Sequence, residues 1–234
     1  MTPTQEPTAL PYGTPDAPRI SVRGEAHLET DPELARIGIT VTARGRDRRT
    51  TLDDLTRRNT AALDLIRSYG DAVHHIETGA LTVTPELTRK GRGEHIRTHH
   101  GAVHLTAEVT DFTTLGELTT RLADLELTRV DGPWWSLRPD SPVHRAARTQ
   151  AVHAAVQRAR EYAEALGTTL AALIELADTG TADTPQPRTP GRMRSMAFAG
   201  PAEEAEPTPL DLEPQRQHVH AEITARFTMI PPRL

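Results

Sequence analysis

The chain's eleven histidines are side chains that could both hold a metal and carry a proton near neutral pH. His218 and His220 alternate along the last apolar segment, and His99, His100 and His104 fall within another. Alternate histidines on a strand bind a divalent metal when a third ligand converges on them. No His-Glu-x-x-His pattern is present, and no carboxylate is placed beside them by a motif. The expectation is a solvated strand face, with metal binding by the strand histidines as an alternative. No residue is nominated as a metal ligand.

Arginine gathers in two places. Arg44, Arg46, Arg48 and Arg49 precede Arg57 and Arg58, while Arg89, Lys90, Arg92 and Arg97 crowd a second turn. A nucleic-acid surface would add aromatics for base stacking, yet aromatics make up only 3% of the chain and none lies inside these clusters. They read as solvated turns, with no nucleic-acid partner expected. Nucleophile chemistry has no anchor either, because there is no Gly-x-Ser-x-Gly elbow and no cysteine. The missing cysteine also excludes disulfides and thiolate metal sites. Gly91-Arg92-Gly93 is a turn that opens no helix, so it is not a dinucleotide fingerprint. No catalytic or cofactor-binding residue is nominated, and no cofactor is expected.

The chain's 234 residues, at net charge −5, suffice for one large domain or two small ones. Residues 1–18 read as a disordered Pro- and Thr-rich tail without the apolar run of a signal peptide. No stretch reaches the roughly 18 apolar residues of a membrane span. The expected address is therefore the cytoplasm, without membrane insertion.

Periodicity sets out the elements that must position these groups. Ile20 to Leu28 alternates, and so does Ala35 to Ala43, with Thr30-Asp31-Pro32 between them. Period two on both sides of a turn predicts an antiparallel hairpin. Thr51-x-x-Asp54 offers a capping-box-like start to a helix carrying Leu52, Leu55, Ala62, Leu63, Ile66 and Tyr69, which Gly70 ends. Ile76–Thr84 and Ile96–Val109 form a second predicted hairpin. A helix over 113–125 follows, then a strand over 128–137 whose Trp134 and Trp135 send one indole to each face.

The longest helix opens at Ser141-Pro142, a hydroxyl cap and then a proline at the first helical position. Ala147, Ala151, Ala155, Ala159 and Ala163 recur every fourth residue along it, and Gly167 suits the left-handed position that ends it. Side chains this small predict a helix lying very close to its support. Leu170–Leu176 is predicted as a short strand, 179–214 as a long Pro/Gly-rich loop, and 218–230 as the final strand. Strands that come mostly as hairpins favour an α+β fold with two packed sheet–helix parts built from antiparallel or mixed sheets.

These pieces, in this order, resemble the SIMPL-domain family over about residues 19–231. The opening strand Ile20-Ser-Val-Arg-Gly-Glu-Ala, the strand with Ile76, Thr78, Leu81 and Pro85, and the alanine helix ending Leu166-Gly167 carry the likeness. The Met193–Phe198 loop and Pro207-Thr-Pro-Leu210 add to it. The resemblance implies a two-part α+β module of about 19–110 and 111–231, with the last strand returning to the first part. Family members include envelope or periplasmic proteins linked to stress tolerance, some of which form large symmetric assemblies, and a eukaryotic member that binds a signalling kinase. No catalytic residue set is carried over.

Met193, Met196 and Phe198 in the long loop, one of the two tryptophans, and the free sheet edges are candidate contacts with another subunit. The expected function is a non-enzymatic, self-associating binding or scaffold protein of the SIMPL type: a homo-oligomer with room for a protein partner. A small-ligand binder or enzyme with a pocket between the two parts is the alternative.

Overall fold

The computed structural model describes residues 13–89, 94–183 and 209–233. The first twelve residues of the expected tail, the Lys90–Gly93 turn and the Met193, Met196 and Phe198 loop lie outside them. The protein is α+β, with two antiparallel sheets and three α-helices among the described residues. The strands are β1 (Arg19–Thr30), β2 (Leu34–Gly45), β3 (Val73–Arg89), β4 (Glu94–Val109), β5 (Thr128–Ser136), β6 (Leu170–Asp183) and β7 (Gln217–Met229). The helices are α1 (Arg48–Arg67), α2 (Phe112–Ala123) and α3 (Pro142–Ala165).

The expected first hairpin does not form. β1 pairs with β7 in unbroken register from Arg19 opposite Thr228 to Thr30 opposite Gln217. β2 lies instead between β4 and β5 in the other sheet. Alternation shows which face of a strand is buried, but it does not name the neighbouring strand. The described residues divide into two compact units: one holds 13–30, 139–183 and 217–233, and the other holds 31–89, 94–138 and 209–216.

The second of these units is a sheet of order β3-β4-β2-β5 under two helices. Ala35, Ile37, Ile39, Val41 and Ala43 of β2 meet Leu55, Ala62 and Ile66 of α1 and Leu115, Leu118 and Leu122 of α2. The α1 cap is Asp47, whose carboxylate accepts the Thr50 N–H at 2.9 Å; the expected start at Thr51 is therefore one turn late. Asp111 caps α2 in the same way through Thr113. The tryptophans divide as their alternation predicts. Trp135 is half-buried and packs edge-on against Phe112 at 4.9 Å, while Trp134 is exposed.

The other unit is a sheet of order β1-β7-β6 under α3 alone. Ser141 caps α3, with Pro142 in its first turn. At its end Gly167 takes φ +68°. There the Thr168 N–H bonds to the Ala163 carbonyl and the Gly167 N–H to Glu164, the paired bonds of a Schellman motif. All five seam alanines are buried. β1 meets the seam at Gly24, where a Cβ would fall 2.0 Å from the Ala151 carbonyl oxygen and 2.7 Å from the Ala155 Cβ. Glycine on the strand and alanine on the helix together permit this approach. β6 continues to Asp183, so the strand predicted to end at Leu176 runs on into the predicted loop.

Candidate functional site

An α-helix is about 10–12 Å across, and strands in a sheet lie roughly 4.8 Å apart. One helix therefore roofs about two strands. Four strands under two helices are matched in number, but three strands under one helix are not. In the three-stranded unit α3 lies over β1 and β7 and barely reaches β6. The helix-side row of β6 follows from its register: Leu170 opposite Met229, Leu173 opposite Phe227 and Leu176 opposite Ala225. Their β7 partners are buried, yet Leu173 is 55% exposed and Leu176 is 49% exposed. Between this shelf and the flank of α3 runs a groove of about 540 Å³. Leu170, Leu173 and Phe227 line its apolar side, Val156, Arg160 and Glu164 rise from the helix, and Thr168 and Thr169 close one end.

The helix sorts its residues by spacing. Ala151, Ala155, Ala159 and Ala163 face the sheet. Val156, Arg160 and Glu164, also four apart, form the flank over the groove. Arg158, Tyr162 and Leu166 form the opposite flank, since at about 100° per residue Tyr162 and Glu164 diverge to either side of Ala163. Arg158 confirms that this flank stands over β1, because its guanidinium donates to the Arg23 carbonyl. Tyr162 and Leu166 are exposed, at 54% and 39%.

Three of the four sheet edges expected to meet another subunit are guarded against strand addition, while the fourth, β1, keeps an unbroken register. β6 shifts register at three points along β7, and β3 shifts at three along β4. β5 is interrupted at Gly132–Pro133, where Gly132 takes φ +108°. Irregular edges of this kind discourage ladder pairing with another chain.

The histidines are distributed over both units. His220 lies opposite His27 of β1, and their rings stack at 4.4 Å with Nδ1 atoms 3.2 Å apart. Sequence reasoning did not single out His27, because the β1–β7 pairing that unites them spans most of the chain. Glu222 stands beside them, 3.8 Å from His220 and paired with Arg23, and His218 faces Glu29 across the ladder. In the other unit His104 bonds the Thr40 hydroxyl at 3.2 Å and His100 lies opposite Arg44. The Nδ1 of His99 is buried without a hydrogen-bond partner. Among the described residues no three His, Asp or Glu side chains converge to hold a metal ion.

The first basic cluster is partly neutralised. Arg44 pairs with Glu86, and Arg57 with Asp54. Arg58, 11% exposed, bridges Asp54 at 2.8 Å and Glu126 at 2.9 Å. The Arg58 hydrogen bond is the main cause that holds the Asp54 carboxyl below its ordinary range. On α2, Arg121 lies over the Tyr69 ring, whose hydroxyl donates to Glu117; burial, more than that bond, raises the Tyr69 phenol.

The family model for SIMPL, a protein of unknown function (DUF541), matches residues 20–227. The chain belongs to the SIMPL family. It is similar to the 26 kDa periplasmic immunogenic protein of Brucella melitensis biotype 1, at 23% identity over 78% of this chain and 75% of that one. The protein of the same name from Brucella abortus strain S19 matches to the same extent. Among the described residues no helix is long and apolar enough to cross a membrane.

Proposed function

We propose that this SIMPL protein is a non-enzymatic, self-associating binding or scaffold protein, and that its contact surface is the β6 shelf beside α3. One observation carries the reading. Two neighbouring apolar side chains of the helix-side row of β6, Leu173 and Leu176, are left without a roof. At about 25 cal/mol per Å² of apolar surface removed from water, covering such a row favours association, and contiguous exposed apolar patches mark interaction sites. Leu173→Glu tests it. Sedimentation of the parent should show an oligomer, and the variant should move toward monomer with unchanged far-UV circular dichroism. A parent that stays monomeric at high concentration overturns the proposal.

A small apolar ligand is the competing occupant, since about 540 Å³ falls within the size range of small-molecule sites. Co-purification of such a ligand with a monomeric parent would favour it. The cytoplasmic address belongs to the same proposal and is tested by cell fractionation. Recovery in a periplasmic extract, the compartment in the relatives' name, overturns it.

A further inference from the structure

We infer that the outer edge of β1 pairs with itself: the β1 strands of two copies join antiparallel about Gly24 and continue the sheet across the joint. This contact stands apart from the β6 shelf, at the opposite edge of the same sheet. β1 is a 12-residue strand without a register shift, and an edge of that length and regularity is a template for another strand. One bond fixes which groups it offers. The Met229 N–H donates to the Pro18 carbonyl, so in unbroken register the even-numbered residues bond β7. The odd-numbered ones, from Arg19 to Glu29, aim their N–H and C=O groups away from it. The bond from Arg158 to the Arg23 carbonyl agrees. Arg158 reaches this edge as a single side chain, which swings aside where a bulge could not.

The sequence of β1 names the occupant. Antiparallel pairing centred on Gly24 sets Arg23 opposite Glu25 of the other copy and Arg19 opposite Glu29, with Ser21 opposite His27. All of these are odd-numbered, so the register that matches the charges also matches the outward hydrogen-bonding groups. Sliding by two residues either way sets Arg23 against Arg23 or Glu25 against Glu25, and like charges directly opposite are unfavourable. Arg23 already pairs with Glu25 along its own strand at 2.9 Å, so the joint gathers these residues of both copies into one alternating group. On the other face the same two-fold sets the α3 helices side by side. α3 lies over β1 and β7, and strands about 4.8 Å apart then hold the two axes roughly 9–10 Å apart, within the range of packed helices. Tyr162 and Leu166, exposed on the flank over β1, are drawn into that joint.

Charge exchange tests this in the Leu173→Glu background, where the shelf takes no part. That protein should sediment at twice the chain mass of 25.7 kDa. Adding Arg23→Glu sets acid against acid across the two-fold, and adding Glu25→Arg instead sets base against base. Each should sediment at the single-chain mass with unchanged far-UV circular dichroism. Mixed in equal amounts, the two carry complementary edges and should return to twice the chain mass. Ser21→Pro, which removes an outward N–H and none bonded to β7, should abolish the dimer independently of charge. A mixture that stays monomeric overturns the joint, as do charge or proline variants that remain dimeric. A Leu173→Glu protein that is monomeric while the parent associates overturns the β1 joint and leaves the shelf standing. A parent no larger than its Leu173→Glu variant, both dimeric, overturns the shelf and leaves the β1 joint.

Discussion

Gly24→Ala is the sharpest test of how the three-stranded unit is held together. The added Cβ would stand 2.0 Å from the Ala151 carbonyl oxygen and 2.7 Å from both the Ala155 nitrogen and its Cβ. Two of these three neighbours are backbone atoms, so no rotamer change relieves the clash. Restoring a contact of about 3.5 Å requires α3 and β1 to part by up to about 1.5 Å. That separation would loosen the whole alanine seam, whose buried side chains have no reach with which to follow. Overpacking of this kind costs about 1–3 kcal/mol, and rigid neighbours place this site at the upper end. For a chain of this length, 3 kcal/mol lowers Tm by about 6–12 °C. Urea unfolding followed by far-UV circular dichroism measures the loss directly. Gly79→Ala is the control, because the nearest atom to its new Cβ is 3.5 Å away; it should change stability by no more than about 0.5 kcal/mol. A Gly24→Ala protein that unfolds with the parent would refute the close approach, and with it the reason for the seam.

Ala155→Leu attacks the same contact from the helix and should cost about 1–3 kcal/mol in the same assay; a parent-like midpoint would count against a buried seam. Asp47→Ala removes the α1 cap and should cost about 1 kcal/mol, whereas Thr51→Val, if it proves the more damaging at the helix start, would favour the start expected from the sequence. Trp135→Ala should cost about 3 kcal/mol and Trp134→Ala much less, since only Trp135 packs with Phe112 and the core; equal losses would contradict that division. Acid should destabilise the fold through three carboxylates held below their usual 3.8: Asp47 by the Thr50 N–H, Asp54 by Arg58, and Asp111 by the Thr113 hydroxyl. Because the folded values are depressed, this stability is complete above the ordinary value and is lost as pH falls through the folded ones. Unfolding midpoints that hold constant down to pH 2 would refute it.

Local features were legible in the chain itself. Ser141, Pro142 and Gly167 mark the ends of α3 because caps and left-handed turns depend on residues only a few positions apart. The five alanines show that the helix is close-packed, and the period-two runs show where strands lie and which face each buries. The α+β class followed from the succession of these elements, and the order of motifs was enough to suggest the family. The cap of α1 was misplaced by a turn because Thr51 and Asp47 both precede the same apolar stripe; the backbone angles of Asp47 make it the cap.

Only the tertiary structure decided which strand lies beside which. β1 belongs with β7, nearly 200 positions away, because its inward row of Val22, Gly24 and Ala26 presents the flat surface on which α3 rests. Nothing in the alternation of β1 distinguishes that partner from β2. The same pairing brought His27 against His220 and left the histidines of β4 in the other unit. It also decided the candidate site. Leu170, Leu173 and Leu176 read in sequence as a short apolar strand, and the exposure of Leu173 and Leu176 arises only because one helix, set toward β1, is too narrow to roof three strands.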